Sequence, residues 1–101
     1  MKKKIGLTGS TGSLGKIILR KNKRSLFNIY KEDIRNRKKV FQWIENNNFD
    51  IVIHLAAIVP IKEVNKDLKK AKLVNFIGTK NLVDACRKKK IKWFFFDYRT
   101  K

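Results

Sequence analysis

Short apolar runs alternate along the chain with spaced apolar stripes. Ile5-Gly6-Leu7 is a brief run that reads as a strand. Leu14, Ile17 and Ile18 then fall at i, i+3 and i+4, a helical stripe, with Lys16, Arg20, Lys21 and Lys23 facing water. In Leu26–Tyr30, Leu26, Phe27, Ile29 and Tyr30 favour a pleated strand. A second helix is expected from about Asn36 to Asn47, with Val40, Phe41 and Ile44 on one face and the run Asn46–Asn48 as its stop. Asp50–Leu55 is an almost unbroken apolar run, as a strand buried on both faces of a parallel sheet requires. Pro60 marks a loop, and a long helix is expected from roughly Val64 to Lys90. Ile91–Phe96, containing Trp93-Phe94-Phe95-Phe96, reads as a buried strand.

The order β-α-β-α-β-α-β, joined by right-handed crossovers, predicts an α/β fold. The architecture expected is a Rossmann-type parallel sheet of about four strands flanked by helices. Residues 1–101 are read as one small domain.

The stretch with specific chemistry is Thr8–Gly15, Thr-Gly-Ser-Thr-Gly-Ser-Leu-Gly, set between the first strand and the first helix. A glycine-rich turn there leaves the helix's first N–H groups unpaired at the positive pole of its dipole, which attracts phosphate. Gly9 permits the tight bend, Gly12 lets the backbone approach a pyrophosphate, and Gly15 lets the helix lie close on its neighbouring strand. The alternative phosphate motif, a P-loop, fails twice. Gly15-Lys16 is present, but Ser10 stands where the first glycine belongs and Ile17 replaces the magnesium-binding hydroxyl.

Asn75 is the informative residue of the long helix. Leu68, Ala71, Gly78, Leu82 and Cys86 all lie within about 60° of it on a helical wheel. An amide inside an apolar stripe needs partners, or its burial costs about 1–3 kcal/mol. It is either bonded to a neighbouring loop or holds a loop or water at an active site. Gly78, one turn on, costs helix propensity and suggests close packing on the sheet.

Composition adds one loud signal. The net charge is +18, from 26 basic and 8 acidic residues, and it raises the question of nucleic acid or another anionic partner. The lysines are spread along the whole chain, however, and greatly outnumber the arginines that usually read base edges. Such a composition also fits A/T-rich codons. Non-specific adhesion to nucleic acid at low salt is expected, and a specific nucleic-acid partner is not. No apolar run reaches the ~18 residues of a membrane span, so no membrane partner is expected. Met1-Lys-Lys-Lys is interrupted as a leader by Thr8-Gly9. The lone Cys86 excludes an internal disulfide and suits a reducing compartment, so the cytoplasm is the expected location. No metal site is expected.

Taken together, the motifs resemble the N-terminal, cofactor-binding part of the extended short-chain dehydrogenases/reductases, the NAD(P)-dependent epimerase/dehydratase group. The likeness rests on Thr-Gly-x-x-Gly-x-x-Gly at Thr8–Gly15, Asp-Ile-Arg at Asp33–Arg35 and His-Leu-Ala-Ala at His54–Ala57. It is completed by Asn-x-x-Gly-Thr-x-Asn-Leu at Asn75–Leu82. It implies that Gly9, Thr11, Gly12, Ser13, Leu14 and Gly15 wrap a pyrophosphate. Asp33 and Ile34 would contact adenine, and Leu55, Ala56 and Ala57 would line the ribose and nicotinamide side. Asn75 would be the helix asparagine that supports the catalytic site. His54 reads as a strand-end packing residue rather than a catalyst, and Cys86 as ordinary core.

Two departures from the family pattern follow. The segment between Gly15 and Asp33 is short for the usual elements, and a generic reading would make Asp33 the ribose-binding acid ~20 residues after the glycines. With Asp33 on the adenine instead, no acid guards the 2′-hydroxyl, and Lys31 and Arg35 tilt the cofactor from NAD towards NADP. The family also places serine or threonine just after the strand equivalent to Ile91–Phe96 and a Tyr-x-x-x-Lys pair further on. Tyr98 and Lys101 match that spacing only by coincidence. The resemblance therefore implies a truncated cofactor half, inactive as given, whose intact relative would act on a sugar nucleotide. The alternatives are a non-catalytic NAD(P)-sensing or partner-binding module and a basic nucleic-acid-binding protein. Trp93–Phe96, as an uncapped sheet edge, invites self-association.

Overall fold

The computed structural model describes residues 3–55 and 68–96. Its elements are β1 (Ile5–Thr8), α1 (Ser13–Lys21), β2 (Phe27–Ile29), α2 (Arg37–Asn46), β3 (Ile51–His54), α3 (Leu68–Lys89) and β4 (Trp93–Phe96), with a short 3-10 turn at Arg24–Leu26 before β2. The four strands form one sheet in the order β2-β1-β3-β4, and all three pairings are parallel. The Rossmann-type α/β expectation is met. The segment between Gly15 and Asp33, though short, holds the rest of α1, the 3-10 turn and β2.

Local chemistry sets the helix ends. Asn36 caps α2 by accepting the Lys39 N–H at 3.1 Å through its side-chain carbonyl, which satisfies one of the orphan donors of the first turn. At the end of α3, Lys90 adopts the left-handed conformation (φ 61°). Its N–H reaches the Arg87 carbonyl at 3.1 Å, and that of Ile91 reaches Cys86 at 2.9 Å. Such a turn closes helices well, but glycine is its usual occupant.

The chain crosses the sheet one way from β1 to β2 and the other way from β2 to β3 and β3 to β4. Right-handed crossovers therefore put α1 on one face, and α2 and α3 on the other. Val40 and Ile44 of α2 and Leu82, Ala85 and Cys86 of α3 pack there with Tyr30, Phe49 and Val52 into a single cluster. Burial of the Cys86 side chain pushes its thiol up to about 12, so it remains an unreactive core residue.

The opposite face is thinly covered. Ile17, expected on the buried stripe of α1, is 40% exposed, and Leu14 and Ile18 are only half-buried. Among the described residues β4 is an edge strand, which corrects the expectation of a buried strand and agrees with the reading of Trp93–Phe96 as a sheet edge. Trp93 and Phe95, in register with Ile51 and Ile53, are 53% and 54% exposed. The aromatic composition describes a strand suited to a sheet interior, while the topology leaves this one with a neighbour on one side.

Candidate functional site

In an open parallel sheet, ligands enter beyond the carboxyl ends of the strands where the direction of winding reverses. Here that point lies at the ends of β1 and β3, and the glycine turn leaves β1 at this place. Gly9 has φ 74°, so the bend requires a residue without a Cβ. The Gly12 N–H closes the turn on the Gly9 carbonyl at 3.2 Å, and Gly12 itself is the N-cap of α1, extended at φ −75° and ψ 174°.

The entrance of α1 is open. No side chain caps it and its first turn carries no acid. The N–H groups of Ser13, Leu14 and Gly15 thus lack intrahelical acceptors at the positive end of the dipole. A Cβ on Gly12 would meet nothing nearer than the Gly9 carbonyl at 3.6 Å, which leaves space for a ligand. A Cβ on Gly15 would collide with that carbonyl and stand 2.7 Å from Ser10 Cα. Gly15 therefore packs against the turn itself, not against a neighbouring strand as the sequence suggested.

A cleft of about 360 Å³ continues from the turn. Its walls are Thr8–Thr11 on one side and Tyr30, Lys31, Glu32 and Ile34 on the other. Ile34 is on the wall. Asp33 is not, because its carboxylate is turned to Arg35, whose Nη2 lies 2.6 Å from Asp33 Oδ2. That bonding holds the Asp33 carboxyl down at about 2. Burial, with Glu32 and Asp33 nearby, pushes the Tyr30 phenol up to about 12, and its hydroxyl donates to the Asp33 carbonyl at 2.9 Å. Asn81 Nδ2 donates to the carbonyls of Ile34 (3.0 Å) and Arg35 (3.1 Å), pinning this loop to α3. Sequence reasoning gave no role to Glu32 or Asn81. Asn81 is a polar residue beside Leu82 on the buried side of the helix, and that was the available signal.

Behind the turn is a buried chain of three side chains. Thr8 Oγ1 lies 2.6 Å from His54 Nδ1, and His54 Nε2 lies 3.1 Å from Thr79 Oγ1. The Leu55 N–H donates to Thr8 Oγ1 at 3.1 Å. His54 is 1% exposed, and burial pulls its pKa down to about 4, so the ring is neutral. It packs at a strand end, as expected, and ties β1, β3 and α3 together.

The side-chain carbonyl of Asn75 is buried without a hydrogen-bond partner, alone in this among the described residues. Gly78 packs against Ile34, whose Cγ2 would lie 2.6 Å from an added Cβ, rather than against the sheet. Ala56, Ala57, Tyr98 and Lys101 lie outside the described residues. So do the side chains of Leu68 and Ala71, the residues expected to share the stripe with Asn75.

Comparison with known proteins gives this geometry a context. Residues 3–96 match the family model described as the RmlD substrate binding domain. A dTDP-4-dehydrorhamnose reductase from Bacillus anthracis, solved with NADP, is similar at 28% identity and a TM-score of 0.76, over 92% of this chain and 35% of that one. A UDP-glucose 4-epimerase from Thermotoga maritima, with UDP-glucose, shares the fold at 20% identity and a TM-score of 0.74, over 91% and 36% of the two chains. A UDP-Glc/GlcNAc 4-epimerase from Campylobacter jejuni does so at 22% identity and a TM-score of 0.77, over 93% and 36%. The chain thus spans about a third of the length of these structures. No protein of curated function matches the sequence. Among the described residues, no helix is long and apolar enough to cross a membrane.

Proposed function

Because the chain belongs to the family of the RmlD substrate binding domain, we propose that residues 1–101 form a dinucleotide-binding domain for NAD or NADP. It would be the cofactor half of a sugar-nucleotide reductase, epimerase or dehydratase. The observation that carries this reading is the uncapped, acid-free entrance of α1 behind the positive-φ Gly9. The pyrophosphate lies against Ser13, Leu14 and Gly15, with Thr11 and Gly12 in the turn. The adenosine enters the cleft between Thr8–Thr11 and Tyr30–Glu32, with Ile34 against the base and Asp33 holding the loop through Arg35. By the family resemblance Leu55, Ala56 and Ala57 would line the path towards the nicotinamide, and Asn75, whose side-chain carbonyl is buried without a partner, would support the reacting end.

A bound nicotinamide would supply hydride-transfer chemistry. The described side chains bind and orient but are not built to move a proton: His54 is held neutral between two threonines, and Cys86 is a buried thiol. Binding without turnover is therefore the activity proposed for this chain. Cofactor choice rests on two neighbours at the cleft. Lys31 favours a 2′-phosphate and Glu32 a free 2′-hydroxyl, while Arg35 is already engaged by Asp33. The lean is to NADP, through Lys31.

A second reading, a non-catalytic module that works through a partner, is favoured by the open edge of β4 and its exposed Trp93 and Phe95. The deciding experiment is a fluorescence titration with NADPH and NADH, with circular dichroism as the folding control. Saturable binding abolished by Gly12→Asp is expected. A folded chain that binds neither cofactor overturns the cofactor reading and leaves the second.

A further inference from the structure

All four strands of a parallel sheet enter from the same end, so the residues just before them share one edge. The basic ones are Lys3 and Lys4 before β1, Lys23 and Arg24 before β2, and Lys90 and Lys92 before β4, while β3 is preceded by Phe49 and Asp50. The closing turns of α1 and α3 return to that edge and are basic too. The described acids here are Asp50 and Glu45. Asp50 accepts the Lys4 backbone N–H at 2.8 Å, and Glu45 lies 3.4 Å from Lys89. No other cation of this edge has a described carboxylate partner. At the opposite end, by contrast, Arg35, Arg37 and Lys80 are paired with Asp33 and Asp84.

Two further features stand at the basic edge. A cavity of about 460 Å³ opens between Lys3 and Lys4 and the segment Ser25–Asn28, floored by Phe49 and bordered by the amide of Asn47. At the other side of the sheet Trp93 follows Lys92, exposed and stacked with Phe95 at a 6.4 Å centroid distance and an interplanar angle of 4°. Cations thus extend across the width of the sheet, about 14 Å for four strands at their usual spacing. They run from a cavity with amide and aromatic walls to a flat aromatic surface. Unpaired charge interleaved with exposed ring faces is the chemistry that holds a phosphate backbone while bases stack. A lipid surface would instead be met by an amphipathic helix with an apolar face in the membrane plane.

We propose that the strand-entry edge of the sheet, opposite the glycine turn, binds single-stranded nucleic acid without sequence preference. The backbone lies along the lysines and Arg24, and a base stacks on Trp93. The test is fluorescence anisotropy of a labelled 15-mer oligouridylate with the full chain at about 50 and 200 mM salt. Two double variants carry the same change in net charge: Lys23→Glu with Lys92→Glu at this edge, and Lys38→Glu with Lys39→Glu on α2. Circular dichroism checks the fold of each.

The edge pair is expected to weaken binding at least tenfold more than the α2 pair and to flatten the salt dependence. Trp93→Ala is expected to cost about tenfold, as loss of one stacked base does. NADPH at saturation should leave oligonucleotide affinity unchanged, because the two ends of the sheet are separate. Equal losses in the two charge pairs would reduce the effect to net charge and overturn the proposal. So would an unchanged Trp93→Ala, competition by NADPH, or binding to phosphatidylserine vesicles in place of the oligonucleotide.

Discussion

The Thr8 hydroxyl and the His54 ring, 46 residues apart in sequence, meet at 2.6 Å where β1 and β3 end. Thr8 is the last residue of β1 and Gly9 is the hinge of the turn, so this bond fixes where the glycine turn begins. The far side of the ring is held by Thr79, which brings α3 into the same arrangement.

A pH dependence follows. The His54 pKa falls from 6.5 in the unfolded chain to about 4 in the fold, so below pH 6.5 the unfolded state binds the additional proton. Stability is fully present above about pH 6.5 and declines as pH falls towards about 4, by up to about 3 kcal/mol. Urea unfolding between pH 7 and pH 4 should show this loss. His54→Gln should be less stable at pH 7 and lose less over that range. Parallel pH profiles for the two proteins would refute the assignment.

The two turn glycines separate fold from binding. Gly15→Ala forces a methyl into the Gly9–Ser10 backbone and should destabilise the chain by about 1–3 kcal/mol. Gly12→Ala adds its methyl to open space, so unfolding should shift by less than about 1 kcal/mol while NADPH affinity drops. Paired unfolding curves and titrations check both.

Cofactor preference should respond to Lys31 and Glu32 in opposite senses. Lys31→Ala should lower the NADPH-to-NADH affinity ratio, and Glu32→Gln should raise it, each by about tenfold for one charged contact. A ratio that moves with neither would remove the 2′ group from this part of the cleft.

Lys90 occupies a left-handed position suited to glycine. Lys90→Gly should stabilise the chain by about 0.5–1 kcal/mol, a rise of about 4 °C in melting temperature. Calorimetry that shows no gain would mean that the Lys90 stem contributes packing of its own.

Self-association through β4 should have a salt dependence opposite to that of polyanion binding. Repulsion between chains of net charge +18 opposes edge-to-edge pairing at low salt, and screening relieves it. Sedimentation velocity should show larger species as salt rises, and Phe95→Lys should return them to monomer. A monomer at all salt concentrations would discount the edge as a contact.

Much of this was legible in the chain. The periodicity of Val40 and Ile44, the apolar run at Ile51–His54 and the glycine spacing depend on neighbours a few residues away, and they gave the elements and the turn. What was not legible depends on where strands come to lie. Trp93–Phe96 reads both as a buried strand by composition and as a sheet edge, and the sheet order decides for the edge. The bonds from Asn81 to the Ile34–Arg35 loop and from His54 to Thr79 join residues brought together by the packing of α3. The motif makes Asp33 a candidate ligand residue. Its carboxylate is engaged by Arg35 two positions on, a competition that spacing alone does not display.

The central place of β1 also fixes the order in which the molecule can assemble. It is synthesised before β2 and β3, the strands it pairs with, and among the described residues the parallel sheet contains no hairpin to hold it early. Every pairing requires closure of a loop carrying a helix, the kind of long-range contact that slows folding. The glycine turn therefore emerges some way ahead of the His54 buttress that orients it, and a nascent chain shorter than β3 has no finished cradle. A dinucleotide cannot act as a template for the early steps. If the chain binds the dinucleotide as proposed, stabilisation would begin only once β3 has docked, and it would slow unfolding rather than hasten folding.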